Sequence, residues 1–156
     1  MLVSDHITYA DAIRSDVAKR NSILNYFTPE QLVRMKLLAE KVYEPLVKHF
    51  GTTIYITSFF RNVKLNKLIG GVKNSQHLAN DGAAIDLDAD LNVGVTNEQI
   101  FDYIKDHLDF DQLIIEDLRP DGGIGWIHVS YKEKDNRKEV LTMVFKNDKK
   151  YYDIYK

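Results

Sequence analysis

Ser75-Gln76-His77-Leu78-Ala79-Asn80-Asp81-Gly82-Ala83-Ala84-Ile85-Asp86 sets a histidine on a polar loop, follows it with a glycine turn, and ends on an acid. The second half of this stretch, extended to Asp88, reads as a buried strand bounded by that turn. Small residues at 82–84 let the backbone fold back, so the His77 imidazole and the Asp86 carboxylate can converge on one point. A second stretch, Gly125-Trp126-Ile127-His128-Val129-Ser130-Tyr131, has strand alternation: Trp126, His128 and Ser130 share one face, Ile127, Val129 and Tyr131 the other. If the Trp126 face lines a cleft, His128 joins His77 and Asp86. Two imidazoles, one carboxylate and an open fourth position for water make the ligand count of a catalytic zinc site. The same spacing also fits two ordinary histidines hydrogen-bonded in loops.

Outward from these segments the chain alternates helix and strand signals. Thr28-Pro29-Glu30-Gln31 combines an N-cap hydroxyl, a proline at the first helical position and the return partner of a capping box. Leu32, Met35, Leu38, Val42, Leu46 and Phe50 then recur at three- and four-residue steps, predicting a helix of about six turns that ends at Gly51, with a kink at Pro45. Thr52–Ser58 and Phe110–Ile115 read as strands, and Thr96-Asn97-Glu98-Gln99 caps a helix through His107. Trp126–Tyr131 and Lys138–Phe145 are expected to pair as a hairpin across Glu133–Arg137. In residues 1–27, a polar and aromatic lead-in, Tyr9, Ala12, Ile13 and Val17 suggest a short helix. The mixed order favours an α+β fold, a small antiparallel sheet packed by helices. One domain is expected, with a core over 28–145 and a C-terminal tail over 146–156.

Composition narrows the chemistry. The chain has 156 residues, 44% hydrophobic and 28% charged, which suits one soluble domain with a single core. Twenty-one basic and twenty-three acidic side chains give a net charge of −2, too balanced to indicate nucleic acid or an anionic membrane as partner. There is no cysteine, so thiolate metal sites, disulfides and cysteine nucleophiles are excluded, and a transition metal would have to be held by His and carboxylates.

The other candidates carry less. Arg61 follows a strand in Ile56–Asn62, where its planar fork can stand in a cleft for a carboxylate or remain solvated. His49 and His107 lie near helix C-termini, where an imidazolium meets the macrodipole favourably, and His6 has no distinctive neighbours. The acids Asp86, Asp88 and Asp90 do not form an EF-hand, because Leu91 and Asn97 stand where that loop needs Gly and Glu; Asp88 and Asp90 read as solvated acids at a strand end.

Taken together, Ile56-Thr57-Ser58 with Arg61, Leu65–His77, Gly82–Asp86, Phe110–Glu116 and Trp126–Tyr131 follow one another in a familiar order. The chain resembles the zinc D-Ala-D-Ala carboxypeptidase and endolysin family, peptidoglycan peptidases of the hedgehog/DD-peptidase fold. The resemblance spans roughly Phe27 to Leu141 and includes Glu44-Pro45-Leu46. It implies Zn2+ held by His77, Asp86 and His128, Arg61 holding the substrate's terminal carboxylate, and Ser75 near the peptide. It also implies an acid–base carboxylate. Gly125 occupies the position used in the dipeptidase branch, so the matching carboxylate is Glu116, which ends the Gln112–Glu116 segment as in the carboxypeptidase-like branch. Two departures stand out. Asn80 and Asp81 look like a two-residue loop insertion, and Phe59 replaces the family's usual glycine, placing a bulky ring near the expected pocket.

The activity so implied is hydrolysis of an amide bond in the peptide stem of bacterial peptidoglycan, with the stem peptide as partner and a monomer as the working form. Gly125 and Phe59 motivate a second reading, a non-catalytic zinc-stabilised wall-binding module on the same fold. No apolar run is long enough to span a bilayer, and Asp5 and His6 interrupt the N-terminus before a signal-peptide core can form. A protein made in the cytoplasm and acting on the wall, as phage lysis enzymes do, is the expectation.

Overall fold

A short antiparallel hairpin opens the chain, β1 (Leu2–Ser4) and β2 (Ile7–Thr8), and two five-residue helices follow, α1 (Tyr9–Ile13) and α2 (Asp16–Arg20). Thr8 and Ser15 cap these helices, their hydroxyls accepting from the backbone N–H of Asp11 and Ala18. The computed structural model describes residues 1–147 and 149–156. The first 27 residues thus hold more structure than the single helix their pattern suggests, and Val3, Ile7 and Ala12 enter the main core.

α3 (Pro29–Leu38) starts at the expected capping box: Thr28 Oγ1 accepts from Gln31 N, and the Gln31 side chain returns to Thr28 N. It runs into a π-helical turn, Ala39–Tyr43, and then α4 (Glu44–Phe50), which ends at Gly51 in the left-handed region with φ +69°. Pro45 therefore acts one turn upstream. Lacking an N–H for the Lys41 carbonyl and crowding it with its ring, proline is accommodated where the preceding turn widens. Met35, Leu38, Val42 and Leu46 are fully buried along this rod, each contributing about 1.5–3 kcal/mol of apolar burial.

The rest of the chain builds the sheet. In chain order come β3 (Tyr55–Ser58), α5 (Val63–Leu68), a 3-10 turn at Gln76–Leu78, β4 (Ala83–Asp88), α6 (Asn97–His107), β5 (Gln112–Ile115), β6 (Ile127–Tyr131), β7 (Glu139–Lys146) and β8 (Lys149–Ile154). The spatial order is β3-β4-β6-β5-β7-β8, antiparallel throughout except for the parallel pair β5–β7. The fold is a single α+β domain. Ile85, Leu87, Leu113, Ile115, Ile127 and Val129 join the core shared with α3, α4 and α6. Alternation then turns Asp86 and His128 to the opposite face. Among the described residues no helix is long and apolar enough to cross a membrane.

Two expectations are corrected. β6 and β7 are not a hairpin, because β5 lies between them and pairs with both. The cause is a buried carboxylate: Asp111 accepts from the N, Nε and Nη2 of Arg137, and its carbonyl accepts from Glu139 N. These bonds bring the start of β7 alongside β5 instead of folding it back on β6. Residues 146–156, read as a tail, include β8, which pairs over its whole length with β7, from Leu141–Ile154 to Lys146–Lys149.

Candidate metal centre

Three strands and one loop converge on the site. Asp86 and His128 are register partners on β4 and β6, and Ser58 of β3 pairs with Asp86 on its other side. His77 comes from the 3-10 turn, which Ser75 caps by accepting from His77 N at 3.3 Å. Gly82, with φ +118°, turns that loop into β4. A Cβ there would lie 2.8 Å from the Tyr131 carbonyl, so only glycine lets the loop come back this closely. Asn80 accepts from Gln31 Nε2, which ties the loop to α3.

The donor atoms form a small triangle. His77 Nε2 lies 3.2 Å from Asp86 Oδ1 and 3.3 Å from His128 Nδ1, and His128 Nδ1 lies 3.0 Å from Asp86 Oδ1. All three residues are buried. Bonds of about 2.0–2.1 Å at tetrahedral angles would set ligand atoms about 3.3–3.4 Å apart, close to these separations. The protonation pattern also fits a cation. His77 Nδ1 donates to the Phe59 carbonyl at 2.6 Å, so its Nε2 faces the triangle as a lone pair. Two acceptors, His77 Nε2 and Asp86 Oδ1, then share at most the one proton that His128 Nδ1 can offer, whereas a metal ion would satisfy all three atoms. Burial pushes the His77 imidazole below its usual value, against the pull of Asp86, and so favours the neutral, ligating form. For Asp86 burial acts upward, but the two imidazoles outweigh it and hold the carboxyl well below the usual range.

Arg61 completes the cluster. Its Nη2 donates to Asp86 Oδ2 at 2.6 Å and its Nε to Ser58 Oγ at 2.8 Å. One carboxylate oxygen is therefore held by a guanidinium while the other faces the histidines. The Arg61 segment is pinned by the lead-in: Phe60 N donates to the Ala12 carbonyl, and the Asn25 amide bonds Ile13 O, Phe60 O and Asn62 N. The Phe59 ring points away from the site. It is 1% exposed within the main core, and only its carbonyl serves the centre, so the expectation of a bulky ring near the pocket is corrected.

Glu116 leaves the end of β5, its N–H donating to the Trp126 carbonyl. It stands one strand across and two residues along from His128, which puts the two Cα atoms about 8 Å apart at ordinary strand spacings. Burial raises its carboxyl, with a further upward push from Asp86 opposed by His128. At Gly125 a Cβ would meet Asp117 Oδ2 at 2.2 Å, so the Asp117 carboxylate fills the space a side chain would need. The other histidines stand apart: His6 bonds Glu44, and His49 and His107 flank the Tyr103 ring.

One supporting residue has no sequence signal beyond its place in a capping box. Asn97, 1% exposed, accepts from Ala89 N and donates to Asp88 Oδ1 and to the carbonyls of Ile124 and Gly125. It fastens the exit of β4 to the entry of β6, the two strands that carry Asp86 and His128. Asp88 also accepts from Asp90 N, and Asp90 pairs with Arg119, so both acids organise these loops.

The family model described as Peptidase M15 matches residues 5–130, a span that contains every residue of this centre. The chain belongs to the peptidase M15 family. Its members are metal-dependent peptidases, which supports a metallopeptidase here, and the His77–Asp86–His128 group could hold the metal. No curated protein matches the chain.

Proposed function

We propose that this M15 protein is a zinc peptidase that hydrolyses an amide bond in the peptide stem of bacterial peptidoglycan. The observation that carries the reading is the buried triangle of His77 Nε2, Asp86 Oδ1 and His128 Nδ1, all within 4.8 Å of one another. A zinc ion in that triangle would supply a Lewis acid that polarises the scissile carbonyl and acidifies a water. The chain's own groups do the rest. Glu116, raised by burial, takes a proton from the attacking water and returns it to the leaving amine, as a base of elevated pKa does best near neutral pH. Arg61 uses Nε and Nη2 to hold Ser58 and Asp86, which leaves Nη1 as the donor for a substrate carboxylate. Ser75 holds the His77 turn beside the path of the peptide.

The test is digestion of purified peptidoglycan and stem peptides by the zinc-loaded protein, followed by mass spectrometry. Cleavage should fall about 10²–10⁴-fold in Glu116→Gln and disappear in His128→Ala. No cleavage by the wild type, or undiminished cleavage by His128→Ala, would contradict the reading. Under the alternative, a wall-binding module, Glu116→Gln would leave every measurable property unchanged. The burial of the Phe59 ring removes one of the two motives for that alternative.

A further inference from the structure

Beyond His128 the sheet continues for three more strands on the face that bears the metal centre. Asp86, His128, Ile114, Leu141 and Ile154 are successive register partners from β4 to β8. One row along, Glu116 is followed by Met143 and its partner Tyr152, since Ile115 pairs with Thr142 and Met143 with Tyr152. Strand alternation puts both rows on one side. Ile114, Leu141 and Met143 form a buried apolar cluster separate from the main core, while Tyr152 is 45% and Ile154 77% exposed at the outer edge. α3 and α6 pack on the opposite face, with Ile85, Leu113 and Val129. Tyr152 faces the centre closely enough for the charges of Glu116 and Asp86 to add to the effect of its burial, and Lys150, on the same side of β8, acts on Glu116. The family match ends at residue 130, so β7 and β8 lie outside it.

We propose that β7 and β8 extend the site into a floor that reads a long peptide, with Tyr152 and Lys150 as its substrate-positioning residues. This rests on the proposed function. With Arg61 holding the terminal carboxylate on the β3–β4 side, the chain on the amino side of the scissile bond runs across β5, β7 and β8. From β6 to β8 is three strand spacings, about 14 Å, or about four extended residues at about 3.3 Å each. Tyr152 stacks against it at the edge, backed by the buried cluster of Ile114, Leu141 and Met143, and the Lys150 ammonium meets an acidic residue upstream. Charge complementarity favours a stem peptide, whose D-glutamyl residue carries a free carboxylate on that side.

Two probes separate the possibilities: acetyl-L-Lys-D-Ala-D-Ala and the pentapeptide L-Ala-γ-D-Glu-L-Lys-D-Ala-D-Ala. The zinc-loaded wild type should favour the pentapeptide in kcat/KM by about tenfold or more, because remote contacts contribute to transition-state binding. Tyr152→Ser and Lys150→Ala should each reduce that preference several-fold, whereas Tyr151→Ser, on the opposite face of β8, should retain it. Calorimetric titration of the pentapeptide into metal-free protein should show weaker binding in Tyr152→Ser than in the wild type. Equal preference for both peptides, or equal pentapeptide affinity in the wild type and Tyr152→Ser, would overturn the floor. Digestion of peptidoglycan with neither peptide cut at its terminal bond would overturn the floor and leave the proposed function standing. Failure to cut any of these substrates would defeat both.

Discussion

Asp86 and His128 face each other across β4 and β6 as register partners, with Asp86 Oδ1 3.0 Å from His128 Nδ1. Two of the three donor atoms are therefore set by the sheet itself, and only His77 depends on a loop. The strands remain paired whether or not an ion is present, so most of the centre is preorganised and metal binding should require little refolding. The loop is held in turn by Gly82, by the Gln31 and Ser75 side chains and by the bond from His77 to Phe59.

Arg61 holds Asp86 from behind, and its planar fork bonds Ser58 and Asp86 at once. Lysine keeps the charge but cannot make both bonds. Arg61→Lys should lower zinc affinity about 10–100-fold, the usual cost of losing a group that orients a ligand. Competition with a chromophoric chelator measures it. An unchanged affinity with a raised KM alone would assign Arg61 to the substrate only.

Asn97 bonds the exit of β4 and the entry of β6 from a buried position. Asn97→Ala leaves the Ala89 N–H and the carbonyls of Ile124 and Gly125 without that partner, and should cost about 2–4 kcal/mol in urea unfolding. Asn97→Asp should be no better, since it adds a negative charge beside Asp88 and Asp90.

Asp111 is fully buried, and although burial acts to raise its carboxyl, the bonds from Arg137 and Gln76 hold it below the usual 3.8. A carboxyl lowered on folding contributes stability that is present above its unfolded value and lost as pH falls through the folded one. Unfolding free energy should thus decline below about pH 4, and Arg137→Ala should make that decline shallower while costing about 2 kcal/mol near neutrality. Denaturant titrations across pH 2–7 test this. A decline of equal steepness in both proteins would show that Arg137 does not set the Asp111 carboxyl.

Local signals were readable wherever the physics was local. Thr28 with Gln31 and Thr96 with Gln99 close their capping boxes within four residues, and both helices begin where the pattern places them. The alternation around His128 and the small residues before Asp86 indicate the facing of two strands without knowledge of their partners. Strand order was not readable, because it depends on Asp111 and Arg137, twenty-six residues apart, and nothing in either segment marks the bond. β8 was missed for a related reason: every residue of Lys149–Ile154 is exposed, so it lacks the half-buried alternation that identifies a strand. Phe59 misled because it stands where the resembled family has a glycine, which suggested a ring near the pocket, whereas the strand end turns the ring into the core and only the carbonyl toward His77.

Zinc should also stabilise the fold. At a free concentration of one hundred times the dissociation constant, linkage gives about 2.7 kcal/mol, which for a domain of this length raises Tm by about 5–10 °C. Scanning calorimetry with and without zinc reads this directly, and the rise should vanish in His77→Ala.

The most direct test of the centre is the metal stoichiometry of the wild type and of a His77→Ala, His128→Ala double variant, by native mass spectrometry after equilibration with zinc. One ion per wild-type chain and none in the double variant is the predicted result. An equal zinc content in both proteins, or none in the wild type, would contradict a site built from His77, Asp86 and His128.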